Sequence, residues 1–196
     1  MSMFIFAAPP RKIKQHIRLH IGDYYASRRP VMISTLLGSC VAVCMFDPVA
    51  HIGGMNHILL PGKADMRKFD MSARFGINAM ELLINKIMNL GGERRRLIAK
   101  VFGGGRILPA ISEENCMGKK NVEFVLEFMK TESFRIVSRD VGGTQSRRIY
   151  FHADTGDVFL KRGKPFSFRD IAIMERKMQE RISRQILRPG DVTLFQ

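Results

Sequence analysis

The order of apolar segments in this sequence predicts an α/β fold, with helices packed on β-structure. Short apolar runs alternate with two longer segments that have the spacing of amphipathic helices, a pattern typical of α/β proteins. At 196 residues the chain is long enough for one well-packed domain and short for two. Its 45% hydrophobic and 26% charged residues match ordinary globular domains.

Buried strands are predicted in the first part of the chain by three apolar runs: residues 31–37, 41–46 and 52–60. Gly38-Ser39 separates the first run from the second, and Asp47-Pro48 begins a turn after the second. Pro61-Gly62 ends the third run. These breaks indicate consecutive strands joined by short turns.

Two segments have helical periodicity, residues 72–90 and residues 120–131, each with apolar residues at three- or four-residue spacing. Gly91-Gly92 follows the first segment and suits a helix C-cap. Further strands are predicted by four apolar runs: residues 97–102, 134–138, 147–153 and 157–162.

The C-terminal part of the chain has a different pattern. From residue 169 to residue 187, apolar side chains recur close to one helical face, and Arg, Lys and Glu fill the rest: Ile171, Met174, Met178, Ile182 and Ile186. This predicts an amphipathic helix. Packing against its own domain is favoured over docking to a partner or a membrane surface.

The charge of the chain restricts its partners. Lys and Arg total 32 against 18 acidic residues, which gives a formal net charge of +14. The basic clusters lack the interleaved aromatic side chains of a nucleic-acid platform, so acidic proteins are favoured over nucleic acid as partners. The N-terminal charges follow a short apolar run, the reverse of a secretory signal, and no run suits a membrane span. A cytoplasmic location is expected.

Residues 34–57 hold two cysteines and two histidines, which raises the question of a metal site. Cys40 and Cys44 are four positions apart in a β-branched, apolar run that predicts a strand. Four residues of strand span roughly 13 Å. Two sulfurs that far apart cannot bind one zinc ion. No metal site is therefore predicted.

Two other interpretations of these residues stay open: a buried hairpin with incidental thiols, and the nucleophile and base of a cysteine hydrolase. A Cys and a His at this spacing are by themselves a weak signal of catalysis. Cys40 directly follows Gly38-Ser39, a turn that can aim backbone N–H groups at a reacting carbonyl, whereas Cys44 lies in an apolar run and suits the core. His57 is the better base, because strand, turn and strand would fold it back beside Cys40. His51 is predicted to lie in a turn and His152 in a strand, while His16 and His20 belong to the basic N-terminal segment. Neither these histidines nor Cys116 is given a catalytic role.

Two sequence blocks, LGSCVAVCMFDP and GGMNHILLP, closely resemble the chemoreceptor glutamine deamidases of the CheD family. The similarity continues through KVFGGG, MGKKN, DVGGTQSR and TGDV, and covers about residues 20–162. The family deamidates selected glutamines on the cytoplasmic helices of methyl-accepting chemotaxis receptors. The resemblance implies the same activity here, without a cofactor or a metal.

The resemblance also implies roles for individual residues. The family's nucleophile corresponds to Cys40 and its general base to His57. Its third residue, usually threonine six positions before the cysteine, corresponds to Ser34, so Ser34 is predicted to steady the histidine, with neighbouring Thr35 as the alternative. Backbone N–H groups at the turn of Gly38 and Ser39 are expected to stabilise the oxyanion.

Fold, partners and domain limits follow from the same resemblance. It implies a layered α/β sandwich with a mixed β-sheet and flanking helices, similar to bacterial toxin-type cysteine deamidases. Chemotaxis receptors are the expected partners, and a CheC-type phosphatase is a second one. The expected organisation is a basic extension at 1–20, the deamidase domain at 21–164, and the C-terminal helix and tail at 165–196. The competing hypothesis is a catalytically idle basic adaptor that binds acidic chemotaxis proteins.

Overall fold

A computed structural model describes residues 15–60, 64–66, 68, 70–106 and 116–163, and in these ranges nine strands form two sheets flanked by two α-helices. The strands are β1 (Gln15–Arg18), β2 (Tyr24–Ser27), β3 (Val31–Leu37), β4 (Val41–Asp47), β5 (Ile52–Asn56), β6 (Ile98–Gly103), β7 (Arg135–Val141), β8 (Arg147–His152) and β9 (Val158–Arg162). The helices are α1 (Met71–Asn89) and α2 (Met117–Thr131).

Both sheets are mixed. The first has the strand order β1-β3-β8-β9, and only its β1–β3 pair is parallel. The second has the order β2-β5-β4-β6-β7, and only its β6–β7 pair is parallel. The predicted α/β class and the mixed pairing are confirmed, although the strands divide into two sheets and do not form a single one.

The second sheet lies in the middle of three layers. Every residue of β4 is buried, because successive side chains point to opposite faces and both faces are covered. Val43 and its neighbours on one face pack with the helices, in a core that includes Leu83 and Phe128. Ala42 and its neighbours on the other face pack against the first sheet, with Ile33 and Phe151.

Most predicted elements occur close to their expected limits. Residues 31–37 form a strand as predicted, and the first helix spans Met71–Asn89 against a prediction of 72–90. Asp70 caps that helix, since its side chain accepts a hydrogen bond from the backbone N–H of Ala73. The second helix starts at Met117, earlier than the expected 120. In the described ranges no helix combines the length and the apolarity needed to cross a bilayer.

The N-terminal boundary differs from the prediction. Residues 15–18, assigned above to an extension at 1–20, pair in parallel with β3, and Leu19 is buried in the core between the sheets. An edge strand is held by its backbone bonds, so its mostly exposed side chains give little hydrophobic signal. The domain therefore begins before residue 21. The amphipathic helix predicted at 169–187 lies outside the described residues.

A buried carboxylate secures the turn between β4 and β5. Asp47 is fully buried and accepts hydrogen bonds from the backbone N–H groups of Val49, Ala50 and Glu93 and from the guanidinium of Arg96, at 2.9–3.1 Å. Burial alone would raise the pKa of this carboxyl, but the Arg96 and backbone hydrogen bonds outweigh burial and hold the pKa well below its usual range. Asp47 is therefore charged at neutral pH and joins this turn to the segment after α1.

Replacing Asp47 should destabilise the fold strongly. We expect Asp47→Ala to lower the free energy of unfolding at pH 7 by about 3–5 kcal/mol, because it leaves three backbone N–H groups without their acceptor and removes the buried one of the two carboxylates that bind Arg96. Because the folded-state pKa is depressed, this stability is present above the unfolded-state pKa and is lost as pH falls through the folded-state value. Urea unfolding at several pH values measures both effects. The control Asp157→Ala removes an exposed carboxylate and should cost under about 0.5 kcal/mol; equal losses in the two variants would contradict the prediction.

Candidate active site

Cys40 lies in the turn between β3 and β4, and only 5% of its surface is exposed. The backbone of this turn is held at three points. The N–H of Gly104 donates to the Cys40 carbonyl at 2.7 Å, and that of Gly105 donates to the Gly38 carbonyl at 2.8 Å. The side-chain amide of Asn121 donates to the Ser39 carbonyl at 2.9 Å. The turn is therefore fixed by groups from the loop after β6 and from α2.

Glycine is required where β6 reaches this turn. Gly103 has φ +109, a conformation that side chains rarely adopt. A Cβ at this position would stand 2.2 Å from the Cys40 carbonyl oxygen. The glycine run that begins at the last residue of β6 thus allows two backbones to approach closely behind Cys40.

His57 follows β5 and reaches the same region. Val41 and Ile58 form an antiparallel bridge, with N–H to carbonyl distances of 3.0 and 2.7 Å. Cys40 precedes Val41 and His57 precedes Ile58, so both side chains point to the face opposite the bridging pair. Diagonal neighbours of this kind have Cβ atoms roughly 7 Å apart, within reach of each other's side chains. The register therefore brings Cys40 and His57 to one face, toward the first sheet.

Thr35 of β3 orients the His57 ring. The Thr35 hydroxyl lies 2.9 Å from the Leu19 carbonyl and 2.7 Å from His57 Nδ1. A hydroxyl has a single hydrogen, and the carbonyl can only accept, so Thr35 donates to Leu19 and accepts from Nδ1–H. In the neutral ring the proton is then on Nδ1, and Nε2 carries the lone pair. Nε2 is buried without a hydrogen-bond partner among the described residues.

The surroundings of His57 favour its neutral form. Only 4% of the residue is exposed, and burial lowers the pKa of His57 to about 3. The nearby His20 lowers it further, and a hydrogen-bond interaction with the Leu19 backbone offsets only part of the shift. The imidazole is therefore neutral at physiological pH and can accept a proton at Nε2.

The structure places Ser34 away from His57. Its hydroxyl lies 2.7 Å from Nε2 of His16, on the neighbouring strand β1. Val31, Ile33 and Leu37 of β3 are almost fully buried in the core between the sheets, and strand alternation puts Thr35 on their face. The same alternation turns Ser34 the other way. The contact expected of Ser34 is made by the alternative, Thr35.

The remaining cysteines and histidines occupy other environments. Cys44 is 1% exposed between the two sheets, and burial raises the pKa of its thiol far above the ordinary value. Cys116 is buried just before α2, His51 is exposed in the turn after β4, and the His152 ring packs edge-on to a phenylalanine of β9. Within the described ranges no three His, Cys, Asp or Glu side chains come together as metal ligands.

Two supporting residues near the site were not predicted, although the sequence motifs contained them. Asn121 contacts the Cys40 turn directly, as described above. Arg147 is 4% exposed and donates to the Asp140 carboxylate at 2.6 Å and to the Gly142 carbonyl at 2.5 Å. The Gly142 N–H in turn donates to the Gly103 carbonyl at 2.9 Å. Through these hydrogen bonds the segment from Asp140 to Arg147 supports the glycine run that contacts the Cys40 turn.

Comparison with known proteins gives consistent matches. Residues 59–162 match the family described as CheD chemotactic sensory transduction. The "Probable chemoreceptor glutamine deamidase CheD 1" of Shewanella oneidensis is 40% identical over 98% of this chain and 96% of its own length. The "Probable chemoreceptor glutamine deamidase CheD 2" of Burkholderia thailandensis is 39% identical over 93% of this chain and 94% of its own.

Among solved structures, the Bacillus licheniformis hypothetical protein YfiH is similar, with a TM-score of 0.39 and 14% sequence identity. The match covers 62% of this chain and 50% of that one. A likeness this weak supports no conclusion about function.

Proposed function

The chain belongs to the CheD family of chemotactic sensory transduction proteins, and from this premise we propose that it is a chemoreceptor glutamine deamidase. The reaction hydrolyses a glutamine side-chain amide to glutamate and ammonia. One observation supports the catalytic assignment. Thr35 fixes the Nδ1 side of a neutral His57, while Nε2 has no hydrogen-bond partner within the described part of the chain and lies on the face toward which Cys40 points.

The first half of the reaction forms a thioester. Sγ of Cys40 attacks the carboxamide carbon of the substrate while His57 Nε2 takes the thiol proton. Backbone N–H groups of the turn around Ser39 and Cys40 stabilise the oxyanion that forms on the former carbonyl oxygen. The intermediate collapses as the C–N bond breaks, and His57 gives its proton to the departing nitrogen, which leaves as ammonia.

The second half of the reaction restores the enzyme. His57 Nε2 accepts a proton from water as the water oxygen attacks the thioester carbon. Breaking the C–S bond releases glutamate, and the proton returns to the sulfur of Cys40. The buried Thr35 hydroxyl supports both halves, because it keeps the Nδ1 proton in place and Nε2 directed at the reacting groups.

Receptor helices are the substrate class that the family assignment supports. The chain has 32 basic and 18 acidic residues, and this excess of positive charge suits binding to acid-rich helices. A CheC-type phosphatase as a second partner, a cytoplasmic location and a likeness to toxin-type cysteine deamidases are further parts of this proposal, and they rest on the family resemblance.

The direct test incubates the full chain with cytoplasmic fragments of chemotaxis receptors and maps Gln-to-Glu conversion by mass spectrometry. We expect conversion at selected glutamines. The adaptor hypothesis predicts binding to the same fragments without conversion. If no fragment is converted under conditions in which the chain is folded and binds, the deamidase proposal is wrong.

Substitutions in β3 can test which residue, Thr35 or Ser34, orients the His57 ring. We expect Thr35→Val, which keeps the shape of the side chain but removes the hydroxyl, to lower kcat by about tenfold to a hundredfold, since a buried hydrogen bond to the imidazole is lost. The matched variant Ser34→Ala, one residue away, should retain kcat within about threefold. Ammonia release from receptor fragments measures both. A larger loss in Ser34→Ala than in Thr35→Val would return the role to Ser34.

A further inference from the structure

Asn121 links the two chain segments that carry the proposed nucleophile and base. It lies in the first half of α2 and is fully buried. Its Oδ1 accepts a hydrogen bond from the Leu60 N–H at 3.0 Å, and its Nδ2 donates to the Ser39 carbonyl at 2.9 Å. Leu60 follows His57 by three positions, and Ser39 immediately precedes Cys40. One amide therefore bridges both segments.

The position of this amide follows from the strand register. Val41 pairs with Ile58, so the next hydrogen-bonded pair of the same antiparallel ladder would be Ser39 with Leu60. In that ladder the Leu60 N–H would donate directly to the Ser39 carbonyl. The Asn121 amide stands at that place, accepting from one group and donating to the other. It acts as a spacer the width of one amide between the two segments.

We propose that Asn121 is a positioning residue for deamidation: its side chain sets the distance between the turn of Cys40 and the segment of His57. The inference rests on the proposed function. A direct Ser39–Leu60 bond would satisfy the same backbone groups without burying a side-chain amide. What the amide adds is a fixed separation, one amide wide, between the segment that carries Cys40 and the segment that carries His57. On this proposal, that separation sets how the thiol meets the imidazole. Misplacement of reacting groups by about 1 Å can cost on the order of 100-fold in rate.

The test compares Asn121→Ala with Val125→Ala. Val125 lies one turn further along α2 and is also fully buried, but it packs in the helix-side core. Both variants should lose thermal stability. We expect kcat for receptor-fragment deamidation to fall by about 100-fold in Asn121→Ala with KM within about threefold, and kcat to stay within about threefold in Val125→Ala. A kcat for Asn121→Ala within threefold of that for Val125→Ala would overturn the proposal.

A second variant keeps the test open if Asn121→Ala fails to fold. Asn121→Asp keeps an acceptor for the Leu60 N–H, but an ionised carboxylate would face the Ser39 carbonyl oxygen without a proton to donate. A protonated carboxyl can donate there, and burial favours that form. We expect the kcat of this variant, relative to wild type, to rise at least threefold between about pH 8 and about pH 6. A ratio that does not change with pH would count against the proposal.

A thiol-reactivity measurement separates this inference from the proposed function. Iodoacetamide alkylation of Cys40, followed at the peptide level by mass spectrometry, needs no receptor. We expect the rate to fall about tenfold in Asn121→Ala, because the thiol loses its aligned proton acceptor, and to stay within twofold in Val125→Ala. Equal or faster labelling in Asn121→Ala overturns the positioning role. If wild type converts no receptor glutamine, the proposed function fails, and the alkylation rates still decide the role of Asn121.

Discussion

Cys40→Ala is expected to abolish the conversion of receptor glutamine to glutamate while preserving the fold. Without the thiol no thioester can form, and the His57 imidazole has no nucleophile to deprotonate. The loss in kcat should be on the order of 10⁴-fold or more, as when other nucleophiles of covalent catalysis are removed. Mass spectrometry of receptor fragments after long incubation measures any residual conversion. Substantial conversion by Cys40→Ala would remove Cys40 from the mechanism.

Cys44→Ala is the matched control for the nucleophile. Cys44 is 1% exposed between the sheets, and burial keeps its thiol protonated by raising the pKa. Its replacement should cost about 1 kcal/mol of unfolding free energy through lost packing and leave the activity per folded molecule unchanged. The pair of variants thus separates chemistry from packing at two cysteines only four positions apart.

Binding by Cys40→Ala distinguishes the two functional hypotheses. If the chain is an enzyme, the variant should still bind receptor fragments, since the basic surface is unchanged, but their glutamines should stay intact. If the chain is an idle adaptor, wild type and variant should behave alike in both assays. The comparison requires no knowledge of which glutamines are selected.

The predictable parts of the fold are those with a strong local signal. The limits of β4 and α1 match the prediction within one residue at every end, because a strand buried on both faces is continuously apolar and a helix with one buried face has period 3.6. The edge strands β1 and β2 were not predicted, since four residues with mostly polar or aromatic, half-exposed side chains give neither pattern. The division into two sheets depends on long-range pairing, which leaves no local trace in the sequence.

The site shows the same division between local and long-range information. Neighbouring glycines and the family pattern, both of which are local, predict Cys40 and His57 as nucleophile and base. The choice of Ser34 relied on counting positions from the cysteine, whereas the alternation of apolar residues at Val31, Ile33 and Leu37 already placed Thr35 on the inner face. The contact between Asn121 and Ser39 spans 82 positions of sequence, so only the folded chain reveals it.

Removing His57, the proposed base, should have the second largest effect on catalysis. We expect His57→Gln to lower kcat by about 10³-fold, within the usual contribution of a general acid–base, because a side-chain amide cannot accept and return a proton at Nε2. Activity of the wild type should not decline between about pH 8 and about pH 5 through protonation of His57, since its pKa is lowered to about 3. A kcat profile that falls with an apparent pKa near 6.5, and loses that limb in His57→Gln, would contradict the buried neutral imidazole.

The lowered pKa of His57 should also make the stability of the folded chain depend on pH in a definite direction. In the unfolded chain His57 titrates near its ordinary value of about 6.5, whereas in the folded chain its pKa is about 3. Between these values the unfolded state binds the extra proton, so wild-type stability should decrease as pH falls below about 6.5, by up to about 1.4 kcal/mol per pH unit for this group. In His57→Gln this contribution disappears, so its unfolding free energy should depend less steeply on pH between about 6.5 and 5 than that of the wild type. Urea titrations of both proteins across this window measure the difference, and parallel curves would mean that His57 is accessible to protons in the folded chain.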